Sequence, residues 1–106
     1  MALRLIAQAT LPATTLTDVI AGSPSGKVYI ALKSILVCNR AALSATFRMS
    51  LAINGEADAT KQYLFYDTPI VPNDSFTASL DIGLQPGDVI RCYASNANLT
   101  VSLFGM

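Results

Sequence analysis

The chain has 106 residues, of which 52% are hydrophobic and only 13% are charged, and seven basic residues balance seven acidic ones. This length suffices for one domain that folds without a metal or a disulfide framework. The few, scattered basic residues exclude a stripe for nucleic acid, and no apolar run reaches the roughly 20 residues that span a membrane.

Charged residues normally make up about 25% of a soluble domain. Because this chain has so few with which to cover its surface, we expect partner proteins to cover part of it. The alternative is a monomer whose surface is rich in Ser and Thr. Residues 1–10 are too short and too broken in hydrophobicity for a secretion signal, which predicts a protein made in the cytoplasm.

The N-terminal part of the chain predicts two short strands and one long one. Residues 1–10 alternate weakly and are expected to form an arm or an edge strand, ahead of a β-sandwich domain over residues 11–106. Residues 14–20 are rich in β-branched side chains, which favours a strand. Residues 22–26 are typical of a loop.

Residues 27–37 predict a central strand because both of its faces are partly apolar. Simple alternation places Val28, Ile30, Leu32 and Leu36 on one face. The opposite face would carry Tyr29, Lys33, Ile35 and Val37.

The middle of the chain contains the cleanest strand pattern. Residues 44–53 alternate with a period of two, which is typical of a half-buried strand. Its expected apolar face consists of Ala45, Phe47, Met49, Leu51 and Ile53. A loop opens at Asn54, and residues 61–67 form an aromatic strand.

The C-terminal part predicts three more strands, over residues 75–82, 89–95 and 99–104, with a type II turn at residues 85–88. About eight strands without a helix predict an all-β antiparallel β-sandwich, either jelly-roll or immunoglobulin-like. Strand count favours the jelly roll, and the chain lacks the Trp of immunoglobulin domains. The expected core contains Phe47, Met49, Leu51, Phe76, Leu80, Val101 and Leu103.

The chemistry of the chain predicts no enzyme. Histidine is absent, which removes the commonest general base and metal ligand. Cys38 and Cys92 have no metal-site spacing and are expected to be reduced, buried thiols. The loop acids Glu56 and Asp58 make an incomplete calcium pattern. We therefore expect no catalytic residue, no metal and no cofactor.

Two segments are candidates for an interaction surface. Tyr63 and Tyr66 lie in the aromatic strand, where such residues either pack internally or hold a glycan or a protein. Arg4 and Ile6 lie in residues 1–10, which are expected to add to the sheet edge of a neighbouring subunit.

The chain also resembles small β-sandwich virion structural proteins of tailed bacteriophages and prophages. The resemblance covers most of the chain after about residue 11 and consists of packing and turn patterns. It is carried by residues 24–29 (PSGKVY), 34–40 (SILVCNR), 45–48 (ATFR) and 63–70 (YLFYDTPI), and by the ending over residues 87–105, from GDVI to LFG.

The resemblance implies a non-enzymatic capsid decoration (cement) protein or a head–tail accessory subunit. The implied partners are further copies of itself, as a homo-oligomer and by analogy a trimer, and the major capsid or tail proteins. Its implied location is the virion, after synthesis in the bacterial host cytoplasm. The alternative from the residues alone is a free carbohydrate- or protein-binding β-sandwich module.

Overall fold

The computed structural model of the protein describes residues 4–21 and 30–105, with the backbone alone at Arg4, Ala21 and Ile30. Two short 3₁₀ turns, Ile53–Gly55 and Thr60–Gln62, interrupt the connection between the fourth and fifth strands. The described residues form eight strands: β1 (Arg4–Thr10), β2 (Thr17–Ala21), β3 (Ile30–Asn39), β4 (Ala45–Ala52), β5 (Tyr63–Ile70), β6 (Asp74–Leu84), β7 (Val89–Ala94) and β8 (Leu99–Gly105).

The strands form two four-stranded antiparallel sheets, which confirms the predicted all-β sandwich. Sheet A has the order β1-β8-β3-β6 and sheet B the order β2-β7-β4-β5. The four pairs β4–β5, β3–β6, β2–β7 and β1–β8 are nested in sequence, and successive pairs alternate between the sheets. This is the strand order of a jelly roll, so the structure decides between the two predicted topologies. None of the described residues belongs to a helix that could cross a membrane.

The inner faces of the two sheets enclose one hydrophobic core. Four of the seven predicted core residues are fully buried there: Phe47, Met49, Val101 and Leu103. The other three, which are Leu51, Phe76 and Leu80, are partly buried and pack against the core. Burial of this apolar surface is the main contribution to the stability of the fold.

The predicted face assignment of the third strand is wrong. Leu32 was expected on the face opposite Ile35 and Val37, yet all three are buried in the core. The register shifts between Leu32 and Ser34 against both neighbouring strands, so a bulge reverses the alternation at Lys33. Residues 27–29 of this predicted strand, and the predicted loop at 22–26, lie outside the described residues.

The predicted apolar face of residues 44–53 is correct only in its first half. Ala45, Phe47 and Met49 are buried, whereas Ile53 is 65% exposed. The strand ends at Ala52, and Ile53 begins a 3₁₀ turn that leaves the sheet. Ser50, on the predicted polar face, is buried instead, because the second 3₁₀ turn lies against β4.

Candidate interaction surface on sheet B

The surface begins with an irregular edge strand. Relative to β4, strand β5 contains one extra residue between Thr68 and Phe65 and a second between Phe65 and Tyr63. Residues three apart in a regular strand point to opposite faces. Here the rings of Tyr63 and Tyr66 instead meet edge to face, with centroids 5.0 Å apart. The bulges therefore bring the two predicted tyrosines together.

Arg48 lies at the centre of this surface. Its guanidinium carbon is 4.2 Å from the centroid of the Tyr66 ring and 4.4 Å from that of Tyr93, so the cation contacts two aromatic rings. Tyr93 is the direct cross-strand neighbour of Arg48 on β7. Arg48 Nε also donates to Asp67 Oδ1 at 2.6 Å. This hydrogen bond is the main cause that raises the pKa of Arg48.

Asp67 reaches Arg48 through an unusual backbone conformation. Its φ is +50°, in the left-handed region that Asp and Asn enter more readily than other residues with a side chain. Asp67 is one of the two residues of β5 that face Arg48 across the first bulge. The bulge thus fixes the carboxylate beside the guanidinium and the neighbouring Tyr66 ring over it.

The loop between β4 and β5 adds a further contact to the cluster. Tyr63 donates its hydroxyl to Asp58 Oδ2 at 3.4 Å, and Gln62 Nε2 donates to the carbonyl oxygen of Ala57 at 2.9 Å. Burial, followed by the charge of Asp58, raises the pKa of Tyr63. The loop is therefore held against the edge of sheet B. We refer to Arg48, Tyr63, Tyr66, Asp67 and Tyr93 together as the Arg48 surface.

A second ion pair lies next to the Arg48 surface. Arg91 Nε donates to Asp18 Oδ1 at 3.1 Å, and Arg91 is the cross-strand neighbour of Ser50. Arg91 Nη1 and Ser50 Oγ are both buried and have no hydrogen-bond partner among the described residues. Arg48 and Arg91 are therefore each paired with an aspartate.

Of the other two predicted surface residues, Ile6 does not join this cluster. Ile6 lies on β1 in sheet A, where it is half-buried and packs against the core. The side chain of Arg4 lies outside the described part of the structure. Prediction from sequence missed Arg48 and Asp67. One feature of the sequence could have pointed to Arg48. It lies on the polar face of a cleanly alternating strand, and the next predicted strand along the chain is the aromatic one.

A separate apolar surface is found at one end of the sandwich. Leu43, in the turn before β4, is 75% exposed, and Val71, in the turn after β5, is 53% exposed. The buried Asn39 holds both turns, because its Nδ2 donates to the carbonyl oxygens of Leu43 and Val71 at 2.9 and 3.3 Å. The backbone N–H of Asn73 also donates to the carbonyl oxygen of Ala41 at 3.1 Å. We refer to Leu43 and Val71 as the apolar end.

The cysteines differ from each other. Both are free thiols, and Cys92 is buried in the core. Cys38 was predicted to be buried as well, but it is only half-buried, because it follows the bulge in β3 and alternates with Val37, which points into the core. Within residues 4–21 and 30–105 there is no group of three or more His, Cys, Asp or Glu side chains that could hold a metal ion.

Comparisons with family models, with curated proteins and with solved structures found no match to this chain.

Proposed function

We propose that the protein is a non-enzymatic structural subunit of a tailed-phage particle, either a capsid decoration (cement) protein or a head–tail accessory protein. The observation that carries the proposal is the apolar end. Leu43 and Val71 are exposed on turns that a buried amide holds in place. A preformed apolar surface loses little conformational entropy on docking, which suits permanent attachment to a fixed neighbour.

The sheet edges indicate how such a subunit attaches. Each of the four edge strands, β1, β2, β5 and β6, has at least one register shift against its neighbour. Bulged edges resist pairing with the strands of other chains. Residues 4–10 also pair with β8 of the same chain. Attachment through the ends and faces of the sandwich therefore fits this molecule better than strand addition by residues 1–10.

The proposed partners are further copies of the subunit, with a trimer as the expected assembly, and a major capsid or tail protein. A subunit with few charges can form modest apolar interfaces with its neighbours. When such interfaces are repeated many times in one particle, together they give stable attachment of the subunits. No catalytic role is proposed, because the chain contains no histidine.

The test is incorporation into particles. Replacing both Leu43 and Val71 with Asp should prevent co-purification with phage particles, because two charges would be buried without partners at the interface. Ile53→Asp is the matched control. Ile53 is 65% exposed and lies beyond the other end of β4, whose 8 residues span about 26 Å at about 3.3 Å per residue.

Two results would contradict the proposal. One is the presence of the double Asp variant in particles at the wild-type level. The other is a wild-type protein that remains a monomer at high micromolar concentration by analytical ultracentrifugation and is missing from purified particles. The free binding module would then be the better interpretation.

A further inference from the structure

The Arg48 surface has a composition that the role of a structural subunit does not require. We propose that it binds a neutral oligosaccharide. This inference goes beyond the proposed function and does not depend on it, since it concerns a ligand of the isolated domain. It is argued from the exposed ring, the polar atoms around that ring, the charge of the face and its rigidity.

The exposed aromatic ring is the first argument. Tyr66 is 56% exposed although its ring contacts both Arg48 and Tyr63, which hold it in one orientation. A fixed tyrosine offers an apolar ring surface together with a polar hydroxyl. The C–H groups of a pyranose can pack against such a ring while the sugar hydroxyls stay accessible to polar neighbours.

The polar atoms beside the ring are the second argument. Among the described residues, the guanidinium of Arg48 makes only the hydrogen bond from Nε, and Asp67 accepts only at Oδ1. Toward the described part of the chain, the Nη atoms of Arg48 therefore remain as donors, and Asp67 Oδ2 remains as an acceptor. Each sugar hydroxyl can both donate and accept, so adjacent hydroxyls match a donor and an acceptor placed side by side.

The charge of the face selects a neutral ligand. Arg48 is paired with Asp67, and Arg91 is paired with Asp18. These two pairs leave neither Arg48 nor Arg91 as an excess positive charge that would attract an anionic ligand. A purely apolar partner would bury these charged groups without new hydrogen bonds, which is costly. A neutral, polyhydroxylated ligand avoids both penalties.

Rigidity is the fourth argument. The two bulges in β5 and the positive φ of Asp67 hold Tyr66 and Asp67 in place beside Arg48. Backbone strain of this kind persists where the surroundings fix it, and it is concentrated at functional sites. A surface that is already ordered binds a flexible oligosaccharide with less loss of entropy.

The test is to measure by NMR whether defined oligosaccharides bind to the 106-residue protein. The probes are maltohexaose, cellohexaose, chitohexaose, a mannohexaose and a galactohexaose. We expect at least one of them to bind with a Kd between about 0.1 and 5 mM. Tyr66→Ala should weaken that binding by about tenfold or more, and Tyr66→Phe, which keeps the ring, by less than about threefold.

A second variant separates the guanidinium from the ring. Arg48→Met keeps an unbranched side chain between the two tyrosines but removes the Nη donors, and we expect about fivefold weaker binding. Leu43→Ala, at the apolar end, is the control and should bind like the wild type. Thermal unfolding of each variant identifies any that has lost its fold. For a neutral ligand the affinity should change by less than about twofold between 50 and 500 mM salt.

Three outcomes would overturn the inference. They are no binding to any probe by the wild type at about 10 mM, undiminished binding by a folded Tyr66→Ala variant, and binding that is lost in high salt. These measurements use the isolated protein. A negative result in them therefore does not bear on the proposed role in phage particles, and a negative result in the particle experiment does not bear on oligosaccharide binding.

Discussion

Asn39 donates its side-chain amide to the carbonyl oxygen of Ile70 at 3.1 Å, although the two residues are 31 positions apart. The same amide also reaches the carbonyl oxygens of Leu43 and Val71, and Asn39 Oδ1 accepts from the backbone N–H of Ala41. Asn39 is completely buried. One side chain therefore satisfies backbone groups of two turns and joins sheet A to the apolar end.

Replacing Asn39 should destabilise the protein strongly. Asn39→Ala leaves buried backbone groups without partners, so we expect the free energy of unfolding to fall by about 2–4 kcal/mol in urea denaturation. Asn39→Asp keeps the size but points a carboxylate at carbonyl oxygens, and it should be at least as destabilising. Asn98→Ala, at an exposed turn residue, should stay within about 0.5 kcal/mol. Equal effects of Asn39→Ala and Asn98→Ala would contradict this assignment.

Two glycines of sheet A should differ in how well they tolerate an added methyl group. A Cβ at Gly105 would overlap the carbonyl oxygen of Ala31 and lie 3.2 Å from Ile6 Cδ1. Gly105→Ala should therefore cost about 3 kcal/mol of stability, since the backbone of β3 would have to move. A Cβ at Gly83 meets nothing within 4 Å. Gly83→Ala should lie within about 1 kcal/mol of the wild type in thermal unfolding, and a similar loss in both variants would refute the packing described.

The two thiols should differ in reactivity. Burial raises the pKa of the Cys92 thiol to about 12, so very little thiolate is present at neutral pH. We expect a disulfide reagent to modify the half-buried Cys38 in the native protein and Cys92 only after unfolding. The single-cysteine variants Cys38→Ser and Cys92→Ala assign the two phases. Rapid labelling of Cys92 in the folded protein would contradict the structure.

Cys92 also predicts a loss of stability in alkali. Unfolding returns its pKa from about 12 to the ordinary value of 9.0, so above pH 9 the unfolded state loses a proton that the native state keeps. The stability from this group is complete below pH 9 and falls between pH 9 and 12, by up to about 1.4 kcal/mol per pH unit. Tyrosines titrate in the same range, so the measurement is the difference between wild type and Cys92→Ala. An identical pH dependence in both would contradict the prediction.

The bulge at Asp67 should tolerate only some residues. Asp67→Asn keeps a side chain that accepts a positive φ and loses only a partly exposed ion pair, so we expect a loss of less than about 1 kcal/mol. Asp67→Val places a β-branched residue at φ +50°, and we expect a loss of about 2–3 kcal/mol. Chemical denaturation of the two variants makes the comparison. A Val variant as stable as the Asn variant would show that β5 can form without this conformation.

The strands were predictable because alternation of apolar and polar residues is a local property of the sequence. The bulges were not predictable, because the position of an extra residue is defined by the pairing with the neighbouring strand and not by the sequence of the strand that contains it. This is why Leu32 and Ile35 were assigned to opposite faces although both are buried. The same limit applies to Asn39, since an asparagine at the end of a strand usually indicates a simple turn.

The candidate surface was predictable in part for the same reason. Aromatic composition alone suggested Tyr63 and Tyr66. In a regular strand, however, side chains alternate between the two faces, so these two residues would point to opposite faces. Their contact depends on the two bulges of β5, and the contribution of Arg48 depends on the pairing of β4 with both β5 and β7. Pairings between strands distant in sequence are not visible in the pattern of any single strand.

The nested order of the strand pairs has a consequence for the time course of folding. Among the described strands of sheet A, β1 has β8 as its only neighbour, and this pairing joins Arg4 to Gly105. Closing so large a loop is slow, and sandwiches of this kind fold in milliseconds to seconds. During synthesis β1 leaves the ribosome before β8, so the pairing between them has to wait until β8 has also emerged. Sheet A can therefore be completed only after translation of residues 99–105, whereas the inner pair β4–β5 can form much earlier.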